Sequence, residues 1–494
     1  MTQMSSRHFN RSSRPSHFLS KDKIIALISF LTLVIFACTT FVGYLFLPEN
    51  ENEEGVDGIG NNVDGDGPYR HKKLGVMRAI HHRFKHRPVA AEEDRIGNHR
   101  EKARVREDRD RGRDSSEADR KPAKREQFTL MRKAVKEQYD EMLPTETEED
   151  TERLRNFVNG IRMPKHEQKK EVKQQLSYDI NNCPEEPPKH YPYEWPLLDI
   201  LDNWRPNNIT STFRPGIYQA LCRFDFQTEM HKAEKYREAE LPFLLRDEPR
   251  VLKVVERWNH EDYLSKLLGS EKFTAEYSET NSLMWFKMKQ DSKRPPPTNW
   301  HQPMTSVRIT YDEWVEKASQ PEEDMGPTKP HWYFRVNAKG GNDHFMFNEL
   351  PFFLPEKNFF IVEKDETRGI NCRYGMLGNT AAAHFDGSRN FVILFGGERR
   401  YILSHPKNCP MLGLYPRSHP SGRHSAFDWS YPDLETYPEF ANAMGNEVVL
   451  QAGDVLYLPT YWFHYIVSSD LNWQCNARSG ITKEYQRHID ACGM

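Results

Sequence analysis

The sequence lacks an excess of charge of either sign. Its 69 lysine and arginine residues nearly balance 72 aspartate and glutamate residues, which leaves a formal net charge of −3 over 494 residues. A protein that binds nucleic acid over a broad surface needs a positive excess to hold the phosphates. The composition therefore gives no reason to expect a nucleic acid partner.

Cysteine is scarce, and no pair of cysteines has the C-x-x-C spacing that is typical of a structural zinc site. Cys38 lies in an apolar run. The remaining cysteines are an even number and permit disulfides in an oxidising compartment, although the sequence leaves their pairing open. They are Cys183, Cys222, Cys372, Cys409, Cys475 and Cys492.

Long apolar runs are also rare, with one clear example at residues 24–47, IIALISFLTLVIFACTTFVGYLFL. These 24 residues carry no charge and are long enough to cross a bilayer core of ~30 Å as a helix. A cleaved signal peptide has a shorter apolar region of ~7–15 residues, so we interpret the run as an uncleaved transmembrane signal-anchor.

The flanks of this run set its orientation. The segment before it is basic and the segment after it is acidic, from Glu49 to Asp57, so the positive-inside rule predicts a cytosolic N-terminus. We therefore expect a single-pass type II membrane protein whose later residues are lumenal, in the ER or Golgi, or extracellular. Asn208 heads an N-I-T sequon and is predicted to be glycosylated on that side.

Composition divides the chain into four parts. Residues 1–23 form a polar cytosolic tail, and residues 24–47 form the transmembrane helix. Residues 48–181 are dense in charge and predict a stem that is disordered to partly helical. An alternative interpretation of this stem is a surface for a glycosaminoglycan or another acidic partner. Residues 182–494 form the predicted catalytic domain, with its core at about 331–480.

The C-terminal domain has the pattern of a mainly β fold with a helical lead-in. Short apolar segments alternate with Gly, Pro and Asn turns, which is typical of an antiparallel sandwich or barrel. Residues 263–268 predict a helix that stops at Gly269, and HWYFRVNA at 331–338 predicts a strand. Gly396 and Gly397 predict a hairpin turn between strands at 390–395 and 399–403.

One segment, GNTAAAHFDGSRNFVILFGGERRYIL at 378–403, contains a possible metal site. His384 and Asp386 are two residues apart, so a strand would place both on one face. A second segment, QAGDVLYLPTYWFHYIV at 451–467, supplies His464, which we expect across a barrel from the first pair. Two imidazoles and one carboxylate form the ligand set of a non-haem Fe(II) centre with open positions.

These segments together resemble the JmjC/cupin-like 2-oxoglutarate oxygenases, in particular the hydroxylase branch that includes the asparaginyl hydroxylase factor inhibiting HIF. The similar region runs from about residue 240 to residue 478. The resemblance implies a double-stranded β-helix, or jelly roll, with Fe(II) on His384, Asp386 and His464. It also implies 2-oxoglutarate as cosubstrate and hydroxylation or demethylation of a C–H bond.

The resemblance further implies which residues bind the cosubstrate. The hydroxylase branch has a lysine fifteen residues after the first histidine, where this chain has Arg399. Arginine can clamp a carboxylate but is not equivalent to lysine; Arg400 and Arg478 are possible substitutes. Asn390 and Asn476 match polar positions around the iron. Ala381 replaces a threonine that touches the cosubstrate, and Thr380 and Tyr374 are candidates to replace that contact.

The expected function is hydroxylation of protein side chains in the secretory pathway, with a protein or peptide substrate. The alternative is a catalytically inactive cupin-like binding or scaffold domain on a type II membrane anchor. A Golgi glycosyltransferase shares the anchor and stem, but the strands here do not predict a nucleotide-sugar domain. A nuclear demethylase is disfavoured by the predicted anchor.

Overall fold

The computed structural model describes residues 115–141, 147–162, 176–209, 217–288, 300–339, 344–356 and 358–494. The predicted tail, the transmembrane helix at 24–47 and most of the predicted stem lie outside these residues. Among the residues described, no helix has both the length and the apolar character needed to cross a bilayer.

The helices after α1 and α2 are short, and most of the helices lie before the first long strands. The α-helices are α1 (Ser115–Asp140), α2 (Glu148–Ile161), α3 (Leu197–Asn203), α4 (Met230–Glu238), α5 (Pro249–Trp258), α6 (Tyr263–Leu268), α7 (Tyr311–Ala318), α8 (Phe345–Glu349) and α9 (Gln486–Ala491). Short 3₁₀ turns occupy Glu322–Asp324, Pro351–Phe353, Lys364–Glu366, Pro406–Met411 and Pro438–Asn442.

The strands form two sheets. They are β1 (Trp195–Pro196), β2 (Arg223–Asp225), β3 (Phe243–Arg246), β4 (Phe273–Ser278), β5 (Ser282–Leu283), β6 (Thr305–Ile309), β7 (His331–Ala338), β8 (Thr367–Gly375), β9 (Thr380–Phe385), β10 (Asn390–Gly396), β11 (Glu398–Ser404), β12 (Met444–Gln451), β13 (Val455–Leu458), β14 (Phe463–Ser468) and β15 (Asn472–Ser479). The smaller sheet has the order β1-β12-β11-β14-β9-β5, and the larger has the order β2-β3-β13-β10-β15-β8-β7-β4-β6.

The two sheets pack face to face, as in a cupin jelly roll. Leu394 and Leu456 of the larger sheet share one buried cluster with Tyr401, Leu403 and Leu450 of the smaller sheet. Side chains alternate between the two faces of a strand, so the next residues along each strand enter separate outer clusters that pack under the helices. The predicted mainly β fold is confirmed.

The two glycines at 396–397 connect the sheets instead of closing a hairpin, so that prediction is wrong. Strand β10 pairs with β13 and β15, whereas β11 pairs with β12 and β14. Gly397 has a φ of +70°, and a Cβ atom there would lie 2.0 Å from the Leu471 carbonyl oxygen. Glycine is needed because the chain changes sheet in a tight space.

The other local predictions agree with the structure. Helix α6 ends at Gly269, whose φ of 56° lets the chain leave the helix. Strand β7 spans the predicted residues 331–338. In the helix, the apolar spacing and the terminal glycine indicated the same boundary.

Two helices of the predicted stem pack against the domain. Leu154 and Val158 of α2 are buried, and the Arg162 guanidinium lies 3.2 Å from the buried Asp454 carboxylate. In α1, the Arg132 Nε donates to the Leu267 carbonyl oxygen at 3.0 Å. The folded unit therefore includes residues well before the composition change near residue 182.

Six cysteines form three disulfides: Cys183–Cys222, Cys372–Cys475 and Cys409–Cys492. The middle bond joins the paired positions of β8 and β15 on the outer face of the larger sheet. The pairing that the sequence left open is thus assigned, and it leaves Cys38 as the remaining cysteine.

This pairing predicts the number of free thiols in protein produced in an oxidising compartment. We expect the denatured, unreduced chain to titrate one thiol, from Cys38, and the reduced chain to titrate seven. A Cys38→Ser variant should titrate none before reduction. Two or more thiols in the unreduced Cys38→Ser variant would contradict the pairing.

Candidate metal and cosubstrate site

Two histidines and one aspartate meet at neighbouring strands of the smaller sheet. His384 lies on β9, Asp386 follows that strand, and His464 on β14 is paired directly with His384. One ligand atom from each of the three side chains lies within 4.8 Å of the others. A single ion can therefore contact all three. His464 lies beside His384 in one sheet, not across the barrel as the sequence suggested.

A β-bulge decides which residues of β9 share the interior with His384. The register pairs His464 with His384 but then pairs Ile466 with Ala381, so β9 holds one extra residue. Regular alternation would put Thr380 on the same face as His384. The bulge instead turns Ala381 inward and Thr380 outward.

Thr380 consequently lies away from the three ligands. Its hydroxyl accepts a hydrogen bond from the Asn281 side-chain amide at 3.2 Å and donates to the Gly378 carbonyl oxygen at 3.3 Å. Tyr374 also lies on an outer face, where its ring stacks on Trp258 at 6.2 Å between centroids. The structure brings neither residue to the site.

Both imidazoles have geometry suited to metal binding. Nδ1 of His384 lies 2.8 Å from the Ala382 carbonyl oxygen, and Nδ1 of His464 lies 3.0 Å from the Trp462 carbonyl oxygen. A proton on each Nδ1 leaves the Nε2 lone pair for a metal. Burial lowers the pKa of both histidines, which favours the neutral form that a metal requires.

Asp386 is held by a chain of polar contacts. Its Oδ1 lies 3.1 Å from Nη1 of Arg478, and its Oδ2 accepts a hydrogen bond from Asn390 Nδ2 at 3.2 Å. Asn390 Oδ1 in turn accepts from Asn476 Nδ2 at 2.8 Å. Burial opposes ionisation of this carboxyl, but Arg478 and the two histidines hold the pKa of Asp386 below its usual value. The two asparagines thus support the carboxylate.

Arg399 provides a buried cation on the inner face of β11. The residue is 0% exposed, and its Nε donates to the Asn472 Oδ1. Its guanidinium carbon lies 5.3 Å from the centre of the Tyr333 ring. Within the described part of the chain, Nη1 and Nη2 have no hydrogen-bond partner. Buried donors of this kind are costly unless a ligand accepts from them.

The surroundings of Arg399 fit a planar carboxylate. Gly375 makes room for the guanidinium, because a Cβ atom there would lie 2.9 Å from Nη2. Tyr401, on the same face of β11, donates to Gln474 Oε1 at 2.8 Å. Burial raises the pKa of Tyr401 to about 12 although Arg399 opposes the shift, so its phenol stays protonated beside the guanidinium.

Arg400 points to the opposite side of the same strand. Its Nε lies 2.6 Å from the Glu447 carboxylate, and its guanidinium carbon lies 4.4 Å from the Trp204 ring centre. These contacts hold it in the outer layer. Of the three arginines considered from the sequence, Arg400 faces outward and Arg478 is paired with Asp386, although its Nε has no hydrogen-bond partner. Arg399 faces inward, and both of its terminal nitrogens lack a hydrogen-bond partner among the residues described.

Sequence reasoning missed three residues at this site. The His424 ring stacks on His384 at 4.9 Å, and Arg423 donates from Nη1 to the Phe385 carbonyl oxygen at 3.3 Å. Arg423 has a φ of 79°, a strained value of the kind found at functional sites. No motif spacing marks these two residues. Tyr333 was detectable, because alternation along the predicted β7 strand separates it from the apolar Phe334.

The side chains present fit a ferrous ion and a dicarboxylate cosubstrate. Two imidazoles and a carboxylate leave open positions on Fe(II). The unpaired nitrogens of Arg399 match the two oxygens of a carboxylate.

Comparison with known proteins shows the family of the domain. A family model described as a cupin-like domain matches residues 228–479, which is half of the chain. Shorter segments are similar to curated proteins. The tRNA wybutosine-synthesizing protein 5 of Gallus gallus is 35% identical over 115 residues, 23% of this chain and 34% of that protein.

Two further relatives match over similar lengths. The HSPB1-associated protein 1 of Homo sapiens is 35% identical over 100 residues, 19% of this chain and 20% of that protein. The lysine-specific demethylase JMJ31 of Arabidopsis thaliana is 27% identical over 119 residues, 22% of this chain and 21% of that protein. The chain thus spans about a third or less of the relatives it matches. Given the jelly roll, the grouped ligands and the length of the family match, the chain belongs to the cupin-like domain family.

Proposed function

We propose that this protein is an Fe(II)- and 2-oxoglutarate-dependent oxygenase that hydroxylates polypeptide side chains. His384, Asp386 and His464 would hold the iron, and Arg399 would bind the far carboxylate of 2-oxoglutarate. The bound pair supplies the oxidising chemistry: one atom of O2 enters the substrate C–H bond as a hydroxyl group, and the other enters succinate as CO2 is released.

The observation that carries this proposal is the state of Arg399. A buried guanidinium with two unpaired nitrogens has a large desolvation cost unless an anion binds to it. An inactive cupin-like scaffold has no use for such a group next to an intact ligand set. Gly375 also accommodates the larger arginine in place of the lysine of the hydroxylase branch.

Other residues of the chain orient the ligands. Asn390 and Arg478 fix the Asp386 carboxylate, and the carbonyl groups of Ala382 and Trp462 set the imidazole tautomers. Partners of this kind commonly change metal affinity or activity by ~10–100-fold. Apolar residues such as Leu403 and Ile466 line the neighbouring interior and exclude water from it.

We also propose that the domain works in the secretory pathway or outside the cell, on a type II anchor at residues 24–47. Three disulfides suit an oxidising compartment, and Asn208 is exposed as a glycosylation acceptor must be. The matched relatives are named for tRNA wybutosine synthesis and lysine demethylation, so their names do not favour one substrate class. The proposed compartment favours a polypeptide.

Removal of one metal ligand should abolish turnover. We expect His384→Ala to lower succinate formation from 2-oxoglutarate by about 100-fold or more and to weaken Fe(II) binding, because one of three ligands is lost. Equilibrium dialysis and succinate assays measure the two effects. His260→Ala, at an exposed histidine outside the site, is the matched control. Equal metal binding and turnover in both variants would refute the assignment.

Substitution of Arg399 should weaken the binding of the cosubstrate 2-oxoglutarate. We expect Arg399→Ala to weaken 2-oxoglutarate binding by roughly 10–150-fold, the equivalent of ~1.5–3 kcal/mol for lost charged hydrogen bonds, with little change in metal affinity. The affinity of Arg399→Lys for 2-oxoglutarate should fall between those of the wild type and Arg399→Ala. Calorimetric titration of the metal-free protein with Mn(II) measures the metal affinity, and titration of the Mn(II)-loaded protein with 2-oxoglutarate measures the cosubstrate affinity. Unchanged 2-oxoglutarate affinity in Arg399→Ala would show that the carboxylate binds elsewhere.

The space that Gly375 leaves beside the Arg399 guanidinium gives an independent prediction. We expect Gly375→Ala to weaken 2-oxoglutarate binding, because its methyl group would lie 2.9 Å from Arg399 Nη2 and 2.7 Å from Ser468 Oγ. The same titration measures the effect, and the metal affinity serves as an internal control. A variant that folds and binds 2-oxoglutarate as the wild type does would contradict this placement of the guanidinium.

A further inference from the structure

Two more arginines lie directly opposite each other on the inner face of the larger sheet. Arg335 of β7 is paired in register with Arg373 of β8. Side chains at such positions have Cβ atoms ~4.5–5.5 Å apart, and like charges placed there repel. Both residues are partly exposed, so a ligand in the barrel can reach them. The pair is unfavourable unless an anion neutralises it.

The protein supplies one carboxylate for these two cations. Glu276 of β4 forms an ion pair with Arg335 Nη1, while the buried Arg335 Nε has no hydrogen-bond partner in the described part of the chain. Arg373 Nη1 donates to Asn337 Oδ1 at 3.1 Å and to its neighbour's carbonyl oxygen at 3.4 Å. Within the same described ranges, Arg373 forms no ion pair. One positive charge of the pair therefore remains without a counter-ion.

This arginine pair shares the interior with the candidate site but is separate from the Arg399 pocket. Arg373 is paired in register with Gln474, and Gln474 binds the Tyr401 hydroxyl, which lies beside Arg399. On the next strand Arg478 is already paired with Asp386. Burial and then the adjacent Arg335 lower the pKa of Arg373 to about 9, while Glu276 acts in the opposite direction.

We propose that Arg335 and Arg373 bind a carboxylate of the primary substrate, and that this substrate is an acidic polypeptide segment. The inference rests on the proposed function, since it names the substrate class of that site. A guanidinium group can donate two parallel N–H···O hydrogen bonds to the oxygens of a carboxylate. The two cations lie side by side on the inner face of the larger sheet, and both are partly exposed. Phosphates of a nucleic acid are distributed along an outer backbone and need an extended basic surface.

Glu276 then acts as an internal competitor for Arg335. An incoming carboxylate must share or displace it, which weakens binding of any singly charged group and favours closely spaced acidic residues. Replacement of Glu276 by glutamine should therefore strengthen binding of an acidic ligand, whereas a merely structural ion pair predicts no such gain. A gain of affinity in Glu276→Gln therefore distinguishes the proposed anion site from a variant that is only less stable.

The test uses the full-length protein and three fluorescein-labelled peptides of equal length that carry four glutamates, four glutamines or four lysines. Fluorescence anisotropy without turnover should show the tightest binding for the glutamate peptide. We expect Arg373→Gln to weaken that binding about tenfold, as loss of one charged hydrogen-bonding group implies, with partial recovery in Arg373→Lys. Glu276→Gln should tighten it, and Lys133→Gln, at a lysine on α1 whose side chain is 71% exposed, should leave it unchanged.

Either of two kinds of result would overturn the inference. One is equal affinity for the glutamate and glutamine peptides, or affinity for the glutamate peptide that Arg373→Gln and Glu276→Gln both leave unchanged. The other is tighter, Arg373-dependent binding of a single-stranded RNA oligonucleotide, which would replace the polypeptide by a nucleic acid.

Succinate formation without peptide tests the proposed function separately. Arg373-dependent peptide binding in a protein that never converts 2-oxoglutarate would support the anion site and refute the oxygenase. Turnover of 2-oxoglutarate in a protein that does not bind the glutamate peptide would refute the anion site alone.

Discussion

The bulged pairing of β9 with β14 is the constraint on which the rest of the site depends. It places His384 beside His464 in one sheet and turns Ala381 inward, so that two imidazoles and Asp386 converge. A register slip of one residue would reverse every side chain of β9 and separate the ligands. Strand β11 pairs with the other edge of β14, where Leu403 lies opposite His464 and Arg399 opposite Ser468. This pairing directs Arg399 to the interior.

The second determinant is an unusually cationic barrel interior. Arg399, Arg335, Arg373 and Arg478 all project from inner faces, while Glu276 and Asp386 are the carboxylates paired with this group. Such an arrangement is expensive in an empty protein, because buried charges without partners lose their hydration. Under the two proposals above, a bound dicarboxylate and an acidic substrate would supply the missing counter-charges, and the cationic interior would favour anionic ligands.

The sequence predicted the elements with strong local patterns and the ligands with a fixed spacing. His384, Asp386 and His464 were named from residue type and spacing, and the structure brings these three together, whereas Arg399 was named from the family resemblance. Residues whose position depends on register were not predictable. The resemblance made Thr380 a candidate for the cosubstrate contact, but the bulge turns it to the outer face, and a bulge leaves no sign in the sequence. His424 reaches His384 from a loop, through contacts that no spacing rule describes.

The glycine pair at 396–397 illustrates the same limit. Two glycines between apolar strands favour a hairpin, but they equally serve a chain that crosses between sheets, and only the pairing partners of β10 and β11 distinguish the two.

The proposed iron and cosubstrate site is tested most directly by an anaerobic titration of the Fe(II)-loaded protein with 2-oxoglutarate, followed by visible charge-transfer absorption. We expect one equivalent of 2-oxoglutarate to bind and to produce a new absorption band. The band should be lost in His384→Ala and should require a higher 2-oxoglutarate concentration in Arg399→Ala. A folded wild-type protein that binds neither iron nor 2-oxoglutarate would contradict the proposed site.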